Sequence, residues 1–221
     1  MSKLVLFDLD GTLADSAPDL AATANLARER RGLPPLPYLE LRPYSTQGAR
    51  GLLKAGLNIE PGHPEYNDLR QQFLNDYEQR MGELTTLFEG VHELLDRIQS
   101  HGFRWGIVTN KLEYLARPVV EHLGLATGTA VVVGGDTTPH AKPHPAPLLH
   151  AANQAGFHPG QCIYIGDDQR DILAGKAAGM ATLVAAYGYG TVNAPYPTWE
   201  ADGIAENVPD LWPLIQRWAG V

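Results

Sequence analysis

The sequence contains one cysteine, no run of basic residues and no long apolar segment, and each absence excludes a class of protein. A single cysteine, Cys162, rules out an internal disulfide, and its apolar neighbours favour a packing role. No apolar segment approaches the roughly 18 residues of a membrane span. The formal net charge of −8 and the lack of Lys or Arg clusters argue against a nucleic-acid partner. We therefore expect neither a membrane nor a nucleic acid as partner.

The N-terminus and the bulk composition predict an ordinary cytoplasmic globular protein. Met1-Ser2-Lys3 leads straight into an apolar stretch, which leaves no room for a signal peptide. A hydrophobic content of 44% and a charged content of 19% are typical of such proteins. A length of 221 residues suffices for one large domain, or for a main domain with a smaller insert.

The opening stretch, LVLFDLDGT, combines a buried strand with two carboxylates. Residues 4–7 form a short apolar run of strand formers, typical of a strand that is buried on both faces. Because side chains alternate along a strand, Asp8 and Asp10 point the same way while Leu9 points back into the core. Two neighbouring carboxylates repel each other unless a cation lies between them. Oxygen ligands favour a hard ion, Mg²⁺ first.

The rest of the chain divides into a helical region and a region where helices alternate with strands. Residues 15–83 are predicted as helix and loop, too long for a βαβ crossover, so we interpret them as an inserted helical domain. The predicted helices there span residues 14–31, 46–55 and 65–81. Further strands are predicted at residues 104–108, 130–133, 162–165 and 181–185, with helices between them and one near the C-terminus. This alternation predicts an α/β fold, a doubly wound parallel sheet with an inserted all-helical domain.

Polar clusters follow three of the predicted strands. The clusters are Asp8 with Asp10, Thr109 with Asn110, and Asp167 with Asp168. Ligands of doubly wound sheets bind at the carboxyl ends of the strands. We therefore expect the three clusters to form one site.

The motif order resembles the haloacid dehalogenase superfamily. The motifs are DLDGT, a strand that ends in Thr-Asn, a Lys-Pro pair and GDDQRD, and they span nearly the whole chain. The helical insert directly after the first motif resembles the phosphoglycolate-phosphatase-like branch. This resemblance implies a catalytic core of residues 1–14 and 84–221, and a cap of residues 15–83 that closes over the substrate.

The resemblance also implies roles for the two carboxylates of the first motif and for three residues further along. Asp8 would be the nucleophile that forms an aspartyl-phosphate, and Asp10 the general acid and base. Relatives that act as dehalogenases lack an aspartate at the position of Asp10, so its presence favours phosphoryl chemistry. Thr109 and Asn110 would hydrogen-bond phosphoryl oxygens, and Lys142 would bridge Asp8 and the phosphoryl group.

The expected metal ligands are carboxylates, and the expected ion is Mg²⁺. We predict Asp8, Asp10, Asp167 and Asp168 as ligands. Asp171 lies one helical turn beyond Asp167 and is an alternative, either at the ion or behind it.

Two further cations are candidates for contacts with the substrate. Arg50 lies in the helical insert, and its planar guanidinium group can bind both oxygens of a substrate carboxylate. In the alternative interpretation, Arg50 is an ordinary surface residue. Lys111 directly follows the Thr-Asn pair and would flank the pocket.

The expected function is that of a phosphatase acting on a small phosphorylated metabolite. The default substrate is 2-phosphoglycolate, and sugar or amino-sugar phosphates, such as N-acetylmuramic acid 6-phosphate, are the alternative. A phosphomutase of the β-phosphoglucomutase type and a non-catalytic binding protein are the remaining alternatives. Either a monomer or a homodimer is compatible with the sequence.

Overall fold

The computed structural model describes residues 2–192 and 194–221; Met1, the first residue of the predicted core, lies outside this description. The chain forms two compact units. One comprises Met1–Ala14 and Leu87–Val221, and the other comprises Asp15–Thr86. In the described part of the chain, no helix is long and apolar enough to cross a membrane.

The first unit contains a parallel sheet that has six strands within the described residues. The strands are β1 (Leu4–Phe7), β2 (Arg104–Val108), β3 (Val132–Val133), β4 (Cys162–Gly166), β5 (Ala181–Ala185) and β6 (Gly203–Ala205). Their spatial order is β3-β2-β1-β4-β5-β6, with parallel pairing throughout. This is a doubly wound order, and the strand order reverses between β1 and β4. The predicted fold class is confirmed.

The helices are named in chain order. They are α1 (Ala17–Glu29), α2 (Tyr38–Leu41), α3 (Gly48–Leu57), α4 (Tyr66–Arg80), α5 (Val91–Ser100), α6 (Glu113–His122), α7 (Ala146–Ala155), α8 (Gln169–Ala177) and α9 (Leu211–Ala219). Four 3₁₀ turns (Arg42–Gln47, Pro159–Gln161, Tyr196–Thr198 and Val208–Asp210) and two short strands (Ala14–Asp15 and Thr86–Leu87) complete the described elements.

Strand β1 lies in the middle of the first unit. All four of its residues are fully buried, which a strand achieves only when both faces of its sheet are covered. Helices α5 and α7 pack on β2, and α8 packs on β4 and β5. Cys162, at the start of β4, is buried in this core as predicted, and burial raises the pKa of its thiol to about 11.

The second unit is a helical cluster in which α1 packs on α3 and α4. Asp19 of α1 is fully buried in its interior. The backbone N–H groups of Gly82, Leu84 and Thr85 donate to Asp19 at 3.0 Å each, and the Thr85 hydroxyl donates at 2.6 Å. These bonds tie α1 to the segment that leaves the unit.

The predicted and observed elements differ mainly where the sequence pattern is short. The bounds of β2, α7 and β5 agree with prediction. Strand β6 was not predicted, because three residues at a sheet edge carry no alternation. Predicted helix 14–31 begins only at Ala17, because Ala14 and Asp15 are extended and Ser16 takes the N-cap position.

Candidate active site

The candidate site lies at the carboxyl ends of β1, β2 and β4. Because β1 pairs with β2 on one side and with β4 on the other, the residues that follow these strands lie side by side. Asp8 follows β1, Thr109 follows β2 and Asp167 follows β4. The backbone N–H of Asp8 continues the ladder with a 2.8 Å bond to the Ile165 carbonyl. The sheet topology therefore sets their proximity, as the strand-end pattern predicted.

Three buried carboxylates gather at this edge of the first unit. Asp8, Asp167 and Asp171 each offer an oxygen, and these oxygens lie within 4.8 Å of one another. Asp167 and Asp171 are 0% and 1% exposed. Clustered carboxylate oxygens with little access to water are the donor set that a hard divalent cation prefers. This buried acidic group can hold a metal ion.

Glycines allow the chain to pack against Asp167. A Cβ at Gly11 would lie 2.2 Å from Asp167 Oδ2, and one at Gly188 would lie 2.3 Å from Asp167 Cβ. The N–H of Gly190 donates to Asp167 Oδ2 at 2.8 Å, and the Thr12 hydroxyl lies 3.4 Å from Oδ1. Gly188 and Gly190 were not predicted as site residues. The sequence feature that could have indicated them is the Gly-Tyr-Gly triplet that they form with Tyr189.

Lys142 is the buried cation of the cluster. Its Nζ lies 2.7 Å from Asp171 Oδ1 and 2.9 Å from Asp8 Oδ1. Nζ also donates to the Tyr164 hydroxyl at 2.7 Å and to the Val108 carbonyl at 3.1 Å. One ammonium thus faces two carboxylates directly.

The electrostatics of the cluster leave it short of positive charge. Burial raises the pKa of Asp8 to about 6, against the attraction of Lys142 and together with repulsion from Asp171. Burial, with repulsion from Asp8 and Asp171, also raises the pKa of Asp167 well above its usual range. Burial alone would lower the pKa of Lys142, but Asp171 and Asp8 outweigh it, and the net shift is upward. A bound cation would relieve this crowding.

Asp10 is paired with a different lysine. Lys111 Nζ lies 2.9 Å from Asp10 Oδ1 and 3.0 Å from Oδ2, and the side chains are 7% and 16% exposed. Lys111, predicted to flank the pocket, therefore contacts the predicted general acid. The Asp10 side chain, predicted as a metal ligand, lies outside the three-carboxylate group.

The structure places the side chains of Asp168 and Asp171 in different surroundings. Asp168 caps the N-terminus of α8 through the backbone N–H of Arg170 and binds the Arg170 guanidinium at 2.7 and 3.0 Å. Asp171, on the same helix, completes the acidic group instead. Its Oδ2 also accepts from the Asp168 N–H at 3.0 Å, so the two aspartates form a capping box. In this capping box, the Asp168 side chain is bound at the start of α8, and the Asp171 side chain belongs to the acidic group.

Thr109 and Asn110, which follow β2, form hydrogen bonds with different partners. The Asn110 amide donates to the Lys142 carbonyl at 3.0 Å and accepts from the Lys142 N–H at 2.9 Å. Both ends of this amide therefore hold the Lys142 backbone, which differs from the predicted contact with a phosphoryl oxygen. Thr109 is buried, and its hydroxyl accepts from the Lys111 N–H at 3.1 Å.

Arg50 is exposed on the first turn of α3, in the other unit. Its role as an anion ligand stays a prediction.

Comparison with known proteins identifies the family of the chain. Residues 5–185 match the family of haloacid dehalogenase-like hydrolases. A phosphoglycolate phosphatase of Xanthomonas campestris is 45% identical over 95% of each chain. An N-acetylmuramic acid 6-phosphate phosphatase of Pseudomonas aeruginosa is 39% identical over 97% of this chain and 95% of its own. The crystal structure of a predicted phosphoglycolate phosphatase from Haemophilus somnus superposes with a TM-score of 0.85 at 30% identity, covering 97% of this chain and 98% of that one.

The chain is thus an α/β protein with a doubly wound parallel sheet, and its acidic motifs lie at the carboxyl ends of the strands, where ligands of such sheets bind. The family match covers most of the chain, and the chain belongs to the haloacid dehalogenase-like hydrolases.

Proposed function

We propose that this protein is a Mg²⁺-dependent phosphatase that hydrolyses a small phosphomonoester through an aspartyl-phosphate on Asp8. The observation that carries the proposal is that Asp8 lies 2.9 Å from Lys142 and has an oxygen within 4.8 Å of one from the buried carboxylate of Asp167. A carboxylate attacks an anionic phosphoryl group only where nearby cations offset the charge of both. The names of the similar phosphatases support the same reaction class.

The acidic group fits a magnesium ion. Its donors are carboxylate oxygens, and burial raises the pKa of two of them, so the cluster is deficient in positive charge. Asp8 and Asp167 would hold the ion, with Asp171 close by. When bound, Mg²⁺ supplies charge neutralisation for the phosphoryl oxygens.

In the first step, a carboxylate oxygen of Asp8 attacks phosphorus and the ester oxygen leaves. Lys142 offsets the negative charge shared by Asp8 and the phosphoryl group, and Asn110 holds the backbone of Lys142 in place. The Thr109 hydroxyl lies at the end of the neighbouring strand and is the candidate phosphoryl ligand on that side.

Asp10 is our candidate for proton transfer in both steps. It would give a proton to the leaving oxygen and then take one from the water that hydrolyses the aspartyl-phosphate. Its ion pair with Lys111 orients both of its oxygens. Lys111 is thereby a candidate for a further contact with the substrate.

For the substrate, 2-phosphoglycolate is the default and N-acetylmuramic acid 6-phosphate the alternative. The names of two relatives contain these compounds, and both relatives align with nearly the whole chain. Both compounds carry a carboxylate in addition to the phosphoester. In this proposal the helical unit is the cap, and Arg50 is its candidate ligand for the substrate anion. We further propose a cytoplasmic monomer or homodimer.

The test is phosphate release from a panel of phosphorylated metabolites, measured with Mg²⁺ and with EDTA. The panel contains 2-phosphoglycolate, N-acetylmuramic acid 6-phosphate and several phosphates of sugars that have no carboxylate. Asp8→Asn, which keeps the shape of the side chain but removes the nucleophile, is the blank. We expect metal-dependent release that Asp8→Asn lacks, and the ranking by kcat/KM identifies the substrate.

Two outcomes would contradict the proposal. A sugar phosphate isomer in place of free phosphate would indicate a phosphomutase. The absence of release from every compound by well-folded protein would indicate a binding protein.

A further inference from the structure

More acceptors surround the Lys142 ammonium than it has protons. Four oxygens lie within 3.1 Å of Nζ: Asp171 Oδ1 and Tyr164 Oη at 2.7 Å, Asp8 Oδ1 at 2.9 Å and the Val108 carbonyl at 3.1 Å. An ammonium donates only three hydrogen bonds. In the described residues, Lys142 donates to Asp171, Tyr164 and the Val108 carbonyl, and it faces Asp8 Oδ1 as an ion pair, so three protons serve four oxygens.

Tyr164, on β4, supplies an additional proton to this group. Its hydroxyl must accept from Lys142, because an ammonium has no lone pair. The hydroxyl proton is therefore free to point elsewhere, and the Val108 carbonyl, at 2.7 Å, is closer than Asp171 Oδ1, at 3.2 Å. Tyr164 and Val108 are both fully buried, so water does not replace either partner. The Val108 carbonyl thus has two donors, Lys142 and Tyr164.

We propose that Tyr164 is a positioning residue for phosphoryl transfer, because its bond to the Val108 carbonyl releases one Lys142 proton for Asp8 and the phosphoryl group. A buried carbonyl without a donor is costly, so one of the two must remain. The Tyr164 oxygen needs no donor of its own while its proton stays on the Val108 carbonyl. In the reacting complex, Lys142 can therefore leave both Tyr164 and the carbonyl, and direct its three protons to Asp171, Asp8 and a phosphoryl oxygen. This inference rests on the proposed function, since it concerns the same reaction.

Tyr164→Phe removes the hydroxyl and keeps the ring. Lys142 must then keep a proton on the Val108 carbonyl, and two protons remain for three anionic oxygens. The missing bond matters most when charge builds up in the transition state. We expect kcat to fall about tenfold or more, as for the loss of a hydrogen bond to a charged group. The KM should stay within about twofold of the parent value, since an interaction made only in the transition state does not affect ground-state binding.

Thr182→Val is the matched control. Thr182 is the register partner of Tyr164 on the next strand, is also fully buried, and has its hydroxyl 3.4 Å from Asp202 Oδ2. This variant removes a buried hydroxyl at the same level of the sheet without touching the Lys142 bonds described above. It should retain the parent kcat even where its unfolding temperature falls as much as that of Tyr164→Phe.

A binding measurement makes the inference independent of turnover. Orthovanadate, which mimics the phosphoryl group in transfer, is titrated calorimetrically into parent, Tyr164→Phe and Thr182→Val in the presence of Mg²⁺. We expect about tenfold weaker binding to Tyr164→Phe alone. Equal vanadate affinity in parent and Tyr164→Phe would overturn the role of Tyr164, as would an unchanged kcat or an equal loss in Thr182→Val. Failure of the proposed function shows differently, because the parent itself would then release no phosphate.

Discussion

Each of the two units buries a carboxylate completely, and the two carboxylates have opposite surroundings. In the helical unit, Asp19 accepts hydrogen bonds from the backbone and hydroxyl donors of residues 82–85. In the core unit, Asp167 stands among Asp8 and Asp171, and burial and their charges raise its pKa well above the usual range. A carboxylate surrounded by donors stabilises a fold, whereas carboxylates crowded together need a cation or a proton. The contrast separates a structural acid from functional ones.

The largest expected effect is on activity, at Asp167. Asp167→Asn removes one charged metal ligand from the acidic group, and we expect kcat to fall by about a thousandfold, since a metal ion contributes several kcal/mol to such reactions. Asp168→Asn is the control, because Asp168 binds Arg170 and should cost at most about tenfold. Phosphate release under saturating Mg²⁺ measures both. Equal losses in the two variants would contradict the assignment of the site to Asp167.

The next effect is on the stability of the helical unit. Asp19→Asn places an amide N–H₂ among N–H donors and leaves some of them without an acceptor. We expect a loss of about 3 kcal/mol in the free energy of unfolding, measured by urea denaturation. Asp68→Asn, an exposed aspartate in the first turn of α4, should change stability by no more than about 0.5 kcal/mol. An Asp19→Asn protein as stable as the parent would refute a structural role for this carboxylate.

Magnesium should stabilise the parent protein and not the variants of its acidic group. At a concentration about 100-fold above Kd, a ligand that binds only the folded state adds about 2.7 kcal/mol. We therefore expect the Tm to rise with Mg²⁺ relative to EDTA in the parent and in Asp19→Asn, but not in Asp167→Asn. A matching rise in Asp167→Asn would place the ion elsewhere.

The smallest expected effect is a pH dependence of the metal-free protein. The pKa of Asp8 is raised to about 6 by burial, above its unfolded value near 4. Between these values the folded state binds more protons, so the stabilisation from protonated Asp8 is complete below about pH 4 and is lost as pH rises through 6. We expect a loss of about 2 kcal/mol between pH 4 and 7 in EDTA. Asp8→Asn should lack this component, and identical pH profiles would contradict it.

Much of the core was accessible to sequence reasoning because its signals are local. Apolar runs bounded by polar clusters identified β1, β2, β4 and β5, and the order of elements implied the parallel sheet. The predicted catalytic residues Asp8 and Lys142 lie 2.9 Å apart although they are far apart in the sequence. Their meeting follows from topology, since parallel strands bring their carboxyl ends to one edge.

Other features depend on contacts between distant residues and had no sequence signature. The compact helical unit runs to Thr86, beyond the predicted limit of residue 83, and Asp19 binds the N–H groups of Leu84 and Thr85. The Asn110 amide holds the Lys142 backbone, a contact across 32 positions.

The chain itself determined which residues carry chemistry and at which strand ends they stand, because both follow from local pattern and alternation. Only the tertiary structure decided how those groups divide their hydrogen bonds. In the folded chain, Asp171 and not Asp168 belongs to the acidic group, and Lys111 forms an ion pair with Asp10. Lys142 is surrounded by four acceptor oxygens, one more than the protons that it can donate. Donor and acceptor counts are settled among residues that only folding brings together, so no local pattern encodes them.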